Sequence, residues 1–425
     1  MIKPVLMNLR RQQLEAASDA LRLVLTFEHP ADAVLSRYFR QHHALGQVDR
    51  AFVSEAVFGV LRRKRALDGV TGGADTRRLL LAWLVRISGL SVRELAPVLV
   101  PGEVEWLAQV KTASFDDLPA AVRVDLPDWL YARLAAQLTD AGVFALGAAL
   151  QQSAALDLRV NTVRATRDEV LRVLHASGID ATATPFSPIG VRVSGKPAIN
   201  RHPLFLDGTV EVQDEGSQLI GYLMAPRRHE LVVDFCAGAG GKSLMLGAMM
   251  NSQGRVYAFD VSSARLARLK PRLKRSGLSN LHLHVLKNEN DTKVKRLGGK
   301  IDRVLVDAPC SGFGTLRRNP DLKWRQTEEG VAEMRLKQAS ILRAAAGLVK
   351  PGGRLVYATC SLLQEENESI VAAFASTHGD FKPLNCRDIL AQHGIAIDTG
   401  CQLRLWPHIH GTDGFFGAVL TRLPR

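Results

Sequence analysis

The first 150 residues carry apolar side chains at intervals of three and four positions, which is the spacing of an amphipathic helix. Strand-like alternation is nearly absent from this stretch, so we predict an all-α domain over residues 1–150. Residues 50–68 have one apolar face that a bundle of helices would bury. The residues expected in this core are Phe52, Val57, Leu61 and Leu67.

The pattern changes near Leu156, where LDLRVNTV alternates like a strand. Thr166 and Glu169 then form a capping box that opens an amphipathic helix. Two further strand-like runs follow, IDATATPF and GVRVSG. We therefore predict a small α+β module over residues 151–203, which has no catalytic motif of its own.

From residue 204 to residue 425, apolar strands alternate with helical stretches, which predicts an α/β domain with a parallel sheet. In such sheets a ligand binds at the carboxyl ends of the strands, where the chain order reverses. The predicted strands are Leu231–Phe235, Arg255–Asp260, Leu281–Leu286, Ile301–Asp307, Arg354–Thr359 and Gly417–Arg422.

The composition of the chain indicates what kind of partner it binds. The 425 residues are 46% hydrophobic and 23% charged, which are ordinary values for a folded chain of several domains. The 55 Lys and Arg residues exceed the 42 Asp and Glu residues, so the net charge is +13. This excess favours a polyanionic partner, with nucleic acid the first candidate and an anionic membrane surface the second.

Two groups of cations concentrate this charge. Arg62–Arg65 are four consecutive cations, and the segment 265–275 holds six cations without an acid. Each group is either a solvated helix surface or a contact to RNA phosphates, and the sequence leaves both interpretations open.

The cysteines and the hydropathy pattern indicate the compartment. Five cysteines without a CxxC pair favour neither a disulfide framework nor a zinc site, so we expect no metal and a reducing environment. No stretch has the roughly 18 apolar residues of a membrane span, and the N-terminus does not read as a signal peptide. We expect a cytoplasmic protein of bacterial type and, without a coiled-coil repeat, a monomer.

A glycine turn follows the first strand of the α/β domain, in the segment 232–243 (VVDFCAGAGGKS). A P-loop would need glycine at Cys236, and a GxGxxG fingerprint begun at Gly238 would need it at Ser243. What remains is a tight turn of the kind that approaches S-adenosylmethionine, or a turn without a ligand. Asp260 ends the second strand and could accept ribose hydroxyls, although it could equally cap the next helix.

Two cysteines lie at the ends of later strands. Asp307 and Cys310 follow the fourth strand in DAPCSG, and Cys360 follows the fifth in ATCS. A lone cysteine is most often a small hydrophobe. Because the carboxyl ends of parallel strands meet at one edge, however, we expect these three side chains to converge on the ligand site.

The motifs taken together resemble those of the RNA cytosine-5 methyltransferases of the Sun/Fmu type. The segments that carry the resemblance are RVNT, VQDEGSQ, FCAGAGGKS, DAPCSG, RRNPDLKW, ATCS with EENE, and HGTDGFFGA, which together span roughly residues 150–425. The helices that include DRAFVSEAVFGVLRRKRALD resemble the NusB-like extension of bacterial 16S ribosomal RNA methyltransferase B. The resemblance implies a Rossmann-like methyltransferase sheet over residues 204–425, preceded by two RNA-binding domains over residues 1–150 and 151–203.

The resemblance also implies roles for the reactive residues. Cys360 would add to C6 of cytosine in small-subunit ribosomal RNA, and Asp307 would bind the N3/N4 edge of the base. Cys310 would assist release of the product. DNA cytosine methyltransferases use the cysteine of a Pro-Cys motif instead, so the two cysteines could exchange these roles.

For the cofactor, S-adenosylmethionine, the resemblance implies a site around the glycine turn. Asp260 would bind the ribose and Asp307 would lie near the sulfonium. Asn288 takes the position near the adenine by spacing, and Ala239 stands where the family commonly has proline. The residues implied in the turn are Cys236, Ala237, Gly238, Ala239, Gly240, Gly241 and Lys242.

Two other functions compete with this one. A non-catalytic RNA-binding factor in ribosome assembly could retain the same fold. An exocyclic-amine methyltransferase would need an Asn/Asp-Pro-Pro-aromatic loop after the fourth strand, and DAPCSG does not match it. The enzyme remains the leading hypothesis because both cysteines and Asp307 are present.

Overall fold

The computed structural model describes residues 9–195 and 197–424, so the first eight residues of the predicted helical domain lie outside the described residues. The chain forms two compact units. The helical unit takes in the described residues to Ser153 together with Thr315–Glu328. The sheet unit takes in Ala154–Gly314 and the chain from Glu329 onwards.

The helical unit is all-α over its described residues, as the spacing predicts. The predicted core residues Phe52, Val57, Leu61 and Leu67 are each at most 2% exposed. Its helices are Arg11–Val24, Ala31–Gln41, Gln47–Thr71, Thr76–Arg86, Val92–Leu95, Glu103–Thr112, Ala120–Arg123, Asp128–Ala135, Asp140–Leu150 and Leu322–Arg325, with a 3₁₀ turn at Ala96–Val98.

A segment from late in the chain completes this unit. Residues 315–328, which include the RRNPDLKW motif, fold with the helices. Trp324 packs against the helical core and donates its indole N–H to the carbonyl of Leu61, 3.3 Å away. Asp321 accepts the backbone N–H of Ala31 at 3.2 Å. The described helical unit is therefore assembled from two separate stretches of sequence.

The cations of Arg62–Arg65 help to hold the helical unit together. The sequence had left two other interpretations open, a solvated helix surface and a contact to RNA. Arg62 is 9% exposed and donates to the carbonyl of Arg317 at 3.0 Å. Arg63 pairs with the fully buried Asp125 at 3.3 Å, and Arg65 pairs with Asp128. Buried cations need partners, and these partners are distant in sequence. The group is thus mainly a structural element of the helical unit rather than a solvated stripe.

The sheet unit begins with a four-stranded antiparallel sheet in the order β2-β3-β1-β4. The capping box is confirmed, since Thr166 accepts the N–H of Glu169 at the start of the helix Arg167–Ala176. Strand β4 pairs with β1, so this small sheet runs past Pro203, where the sequence pattern ended the module. The strands are β1 Leu156–Val160, β2 Ala181–Ala183, β3 Gly190–Val193 and β4 Val210–Val212.

A larger, mostly parallel sheet follows, in the order β10-β12-β9-β8-β5-β6-β7, with β11 beside β12. Strands β5 to β9 pair in parallel, and β12 runs antiparallel to β9. All six predicted strands are confirmed, whereas β10 and β11 were not predicted. The strands are β5 Leu231–Asp234, β6 Arg255–Asp260, β7 Leu281–Val285, β8 Ile301–Asp307, β9 Val349–Thr359, β10 Phe381–Leu384, β11 Leu403–Leu405 and β12 Phe415–Arg422.

Helices connect these strands. The chain order reverses at β5, which has β6 on one side and β8 on the other, so a ligand crevice is expected at the carboxyl end of β5. None of the helices in the described part of the chain is long and apolar enough to cross a membrane. The longer helices are Arg167–Ala176, Glu215–Met224, Gly241–Met249, Ser263–Ser276, Glu328–Ala346 and Glu368–Thr377; shorter ones are Pro203–Leu206, Thr292–Arg296, Cys386–Ala391 and Pro407–His410.

Candidate active site

A cavity of about 470 Å³ opens in the sheet unit at the carboxyl ends of β5, β6, β8 and β9. Its size suits a ligand such as a nucleoside derivative. The three predicted catalytic residues line it, together with most of the predicted cofactor residues. The predicted residues that line the cavity are Cys236, Ala237, Gly238, Ala239, Gly241, Lys242, Asp260, Asp307, Cys310 and Cys360.

The glycine turn uses its glycines for two different purposes. Gly238 has φ +56°, and a Cβ there would have open space around it, so its backbone is free to approach a ligand. Gly240 has φ +83°, and a Cβ there would lie 2.2 Å from a methyl of Leu269. Gly240 does not line the cavity and instead lets the helix Ser263–Ser276 pack closely against the turn. The structure thus gives Gly240 a packing role, and its predicted contact with the cofactor stays a prediction.

Asp260 fixes this turn from the end of β6. Its carboxylate accepts the N–H of Gly238 at 2.8 Å and the N–H of Ser262 at 2.7 Å. It also lines the cavity while being 4% exposed. A carboxylate offers about four acceptor positions, so two remain available for hydroxyl donors. Both interpretations of Asp260, ligand contact and backbone cap, are compatible with this geometry.

The residue expected near the adenine is placed differently. Asn288 is exposed, and its side chain accepts the N–H of Asn290 at 2.9 Å within a tight turn. This bond is local to the turn. Leu286 and Glu289 line the cavity from this segment, whereas Asn288 is not among the lining residues, and its contact with the adenine stays a prediction.

Lys242 and Asp307 form an ion pair inside the cavity, with Nζ and Oδ2 2.8 Å apart. Burial disfavours the charged lysine, but the Asp307 carboxylate outweighs this effect, and the pKa of Lys242 is raised. The ammonium also lies 5.2 Å from the centre of the Phe415 ring. Asp307 is thus held in position by a charged neighbour while still lining the cavity.

Sequence reasoning did not single out Asp234, the last residue of β5. Its side chain is 1% exposed and accepts the hydroxyl of Ser243 at 2.6 Å, while its other oxygen is buried without a partner. Burial raises the pKa of Asp234 to about 7. The sequence signal that could have identified Asp234 is an acidic residue at the end of an apolar strand. Its bond to Ser243 ties the strand to the helix on the other side of the glycine turn.

The two predicted cysteines meet at the opposite side of the cavity, with their sulfur atoms 3.4 Å apart. The hydrogen bond with Cys360, followed by burial, raises the pKa of the Cys310 thiol well above its ordinary value. Cys310 is therefore a neutral thiol in this state. The convergence expected from the two strand ends is observed.

Arginines from outside the turn donate to two of its carbonyls. Arg272, from the segment 265–275 that the sequence left as a possible RNA contact, donates to the carbonyl of Ala239 and, like Arg275, pairs with Glu211 of β4. Arg159, the first residue of RVNT, is buried and donates to the carbonyl of Gly241. Arg272 thus helps to position the turn, whereas Arg265, Arg268, Lys270 and Lys274 are exposed.

The remaining cavity wall comes from segments that sequence reasoning assigned no role. Gln213 and Ser217, from the VQDEGSQ motif, line it and are hydrogen-bonded to each other at 3.0 Å. The helix Glu328–Ala346 contributes Lys337 and Ile341. Within residues 9–195 and 197–424, no group of three His, Cys, Asp or Glu side chains is arranged to hold a metal ion.

Comparisons with known proteins bear on what this cavity serves. The family model described as 16S rRNA methyltransferase RsmB/F matches residues 221–421, and that of the RsmF/B-like ferredoxin-like domain matches residues 126–200. The probable ribosomal RNA small subunit methyltransferase B of Synechocystis sp. is 32% identical, over 90% of this chain and 93% of the relative. The ribosomal RNA small subunit methyltransferase B of Sodalis glossinidius is also 32% identical, over 89% and 91%.

A solved structure agrees with these relatives. A methyltransferase homologue from Pyrococcus horikoshii is 27% identical and covers 73% of this chain and 100% of that chain, with a TM-score of 0.61. The resemblance to the Sun/Fmu type is thereby confirmed, together with the fold class and with S-adenosylmethionine as the cofactor. The chain belongs to the family of the ribosomal RNA small subunit methyltransferases B, which are S-adenosylmethionine-dependent enzymes that methylate ribosomal RNA.

Proposed function

We propose that this protein methylates C5 of a cytosine in 16S ribosomal RNA through a covalent adduct between Cys360 and C6 of the base. The observation that carries this proposal is the pair of thiols 3.4 Å apart at the wall of the cavity that Asp307 also lines. Cytosine C5 is a weak nucleophile until a sulfur adds to C6. A thiol beside the methyl-donor cavity supplies that activation.

The cofactor fits the residues present. The open backbone at Gly238 and the free acceptor positions of Asp260 suit the ribose and methionine portions, and Leu286 offers an apolar wall near the adenine. S-adenosylmethionine supplies an electrophilic methyl group when bound. Asp260, Lys242 and the turn 236–241 would bind and orient it.

The proposed reaction then runs on the residues of the chain. The Cys360 thiolate would add to C6, and the resulting enamine carbon C5 would take the methyl group as the sulfonium S–CH3 bond breaks, which leaves S-adenosylhomocysteine. The C5 proton leaves to a base, and breaking the C6–S bond restores the aromatic ring and the thiolate. The Asp307 carboxylate, held in place by Lys242, would bind the N3/N4 edge and stabilise the charge that develops on the ring.

The roles of the two cysteines follow the family resemblance, in which the cysteine of the TCS motif attacks the base. We therefore assign the attack to Cys360 and a later role to Cys310, in release of the methylated base. This assignment favours the RNA-type arrangement over the exchanged one.

The RNA must present an unstacked cytosine, which is least costly in a loop. The exposed Arg265, Arg268, Lys270 and Lys274 belong to the helix that packs on the glycine turn and could bind phosphates beside the cavity. The helical unit and the small sheet would supply further RNA contacts. The same proposal has the enzyme act as a monomer in the cytoplasm.

The test uses 16S RNA and small subunits from cells that lack the gene, incubated with tritiated S-adenosylmethionine. Wild-type protein should label cytosine, and bisulfite sequencing should locate it at C5. Cys360→Ala should bind the cofactor normally by calorimetry but give neither product nor RNA adduct. Cys401→Ala is the matched control, because Cys401 is exposed and lies outside the cavity.

Two results would contradict the proposal. A Cys360→Ala protein with full activity would remove the nucleophile assignment. RNA affinity without any cofactor binding would favour the non-catalytic assembly factor. Against the latter stand the thiol pair and the Lys242–Asp307 pair, both of which line the cavity.

A further inference from the structure

A buried carboxylate lies between the two cysteine loops and has no role in the scheme above. Glu366 is in the EENE segment after β9 and is 0% exposed. Its two side-chain oxygens accept from the loop after β8 and from the loop after β9. Burying a carboxylate is costly unless hydrogen-bond donors surround its oxygens, so the donors around Glu366 indicate what this side chain does.

Glu366 binds the Cys310 loop through Ser311, the residue that follows Cys310. The N–H of Ser311 donates to Oε1 at 2.8 Å, and the Ser311 hydroxyl donates to Oε2. Gln338 adds an indirect link, because its amide donates to Oε1 of Glu366 at 3.0 Å and to the carbonyl of Pro309 at 2.9 Å. The residues on both sides of Cys310 are thus tied to one carboxylate.

The Cys360 loop is held in the same way. The hydroxyl of Ser361, the residue after Cys360, also donates to Oε2 of Glu366. Tyr357 of β9 donates to the backbone carbonyl of Glu366 at 2.7 Å, which anchors the carboxylate to the strand that ends before Cys360. The two serine hydroxyls are themselves 3.1 Å apart.

Each reactive cysteine is therefore followed by a serine that bonds to the same carboxylate oxygen. The donors are a backbone N–H, an amide and two hydroxyls, all neutral, and an ionised carboxylate is the side chain that accepts from all of them at once. The two loops are also joined by the 3.4 Å contact of the sulfur atoms, by the hydroxyls of Ser311 and Ser361, and by the N–H of Gly314, which donates to the carbonyl of Cys360 at 2.8 Å.

We propose that Glu366 is a positioning residue that sets the distance between the Cys310 and Cys360 sulfur atoms. The inference rests on the proposed covalent mechanism, which needs one thiol to attack C6 and the other to act on the same adduct. Small displacements of reacting groups lower rates steeply, so loss of this bridge should affect turnover far more than cofactor binding.

The test compares Glu366→Ala, Glu366→Gln and, as matched control, Glu368→Gln. Glu368 is in the same segment, but its carboxylate accepts from Arg404 instead of from Ser311 and Ser361. Glu366→Ala should lower kcat about 100-fold with little change in the cofactor Kd. Glu366→Gln, which can still accept and donate, should lose about tenfold or less. Glu368→Gln should retain the wild-type kcat.

A second readout does not depend on RNA. Dibromobimane becomes fluorescent when it joins two neighbouring thiols, and peptide mapping identifies the pair. It should join Cys310 to Cys360 in wild-type protein, in Glu366→Gln and in Glu368→Gln, and markedly more slowly in Glu366→Ala. Wild-type cross-linking and wild-type kcat in Glu366→Ala would overturn the proposal.

If Glu366→Ala fails to fold, the double variant Ser311→Ala and Ser361→Ala removes both hydroxyl bonds while the backbone N–H and Gln338 still bind the carboxylate. It should show the same slower cross-linking, and unchanged cross-linking there would equally overturn the proposal. If wild-type protein forms no 5-methylcytosine, the proposed function fails, whereas the cross-linking comparison still decides the role of Glu366.

Discussion

The two sides of the cavity are built by different means. The cofactor end, which comprises the turn 236–242 and Asp260, is held by several separate side chains, from the nearby Ser243 to the distant Arg159 and Arg272. The thiol end, which comprises Cys310, Cys360 and their loops, joins segments 50 residues apart through the single side chain of Glu366. The first is held by several independent bonds, and the second mainly by one buried carboxylate. Binding of the cofactor and the covalent chemistry should therefore respond to different substitutions.

The largest expected effect tests the thiol end alone. Cys310→Ala should lower turnover by about 10² to 10⁴-fold, because a group that assists proton removal is lost. Attack by Cys360 should persist, so a covalent RNA adduct should accumulate on denaturing gels. The cofactor Kd should stay at the wild-type value. An inactive variant without any adduct would instead assign the attack to Cys310.

The next effect tests the cofactor end alone. Asp260→Ala should weaken cofactor binding about 100-fold in calorimetry, because two charge-assisted bonds to hydroxyls are removed and the N–H of Gly238 loses its acceptor. Dibromobimane should still join Cys310 to Cys360 at the wild-type rate. A simultaneous loss of this cross-linking would show that the two ends are not independent.

Lys242 could link the cofactor end and the thiol end of the cavity, so it tests whether the two ends are independent. Its ion pair with Asp307 connects the turn to the end of β8. Lys242→Met should weaken cofactor binding and lower kcat by about tenfold each, because Asp307 loses its charged partner and its fixed position. Titration of the cofactor alongside single-turnover kinetics separates the two effects. An effect confined to one of them would assign Lys242 to that end.

The smallest effect concerns pH and stability. The folded pKa of Asp234 is about 7, above its ordinary value of 3.8, so between these values the folded protein holds a proton that the unfolded chain releases. Raising the pH through 7 should therefore destabilise the wild-type protein. Two pH units below the folded pKa correspond to about 2.7 kcal/mol, so, relative to Asp234→Asn, its Tm should fall by about 5–10 °C from pH 5 to pH 8. A Tm difference that does not change with pH would contradict this.

The strands could be predicted from the sequence because each is a short apolar run bounded by turn residues, and their carboxyl ends locate the cavity. Cys310, Cys360, Asp307 and Asp260 were found for the same reason. A spacing argument could not show that the Asn288 side chain accepts a bond within its own turn. It also could not show that Gly240 packs against Leu269, since helix packing depends on the tertiary structure.

Long-range partners were the other limit of sequence reasoning. Arg62 and Arg63 looked like surface charge, yet their partners Arg317 and Asp125 lie far along the chain. Arg272 likewise joined Glu211 of the preceding small sheet. Charge patterns predicted a nucleic-acid partner for the whole chain but did not show which cations face solvent.

The late segment 315–328 has a consequence for biosynthesis. The helical unit is encoded first, but Trp324 and the partners of Ala31 and Arg62 are translated only after β8. Folding during translation usually proceeds from the N-terminus. Here the first-made helices bury most of their core among themselves, but they lack the contacts of Trp324 and the partners of Ala31 and Arg62 until the strand that carries Asp307 has also emerged. A nascent chain halted before Thr315 should therefore be less stable than the complete helical unit.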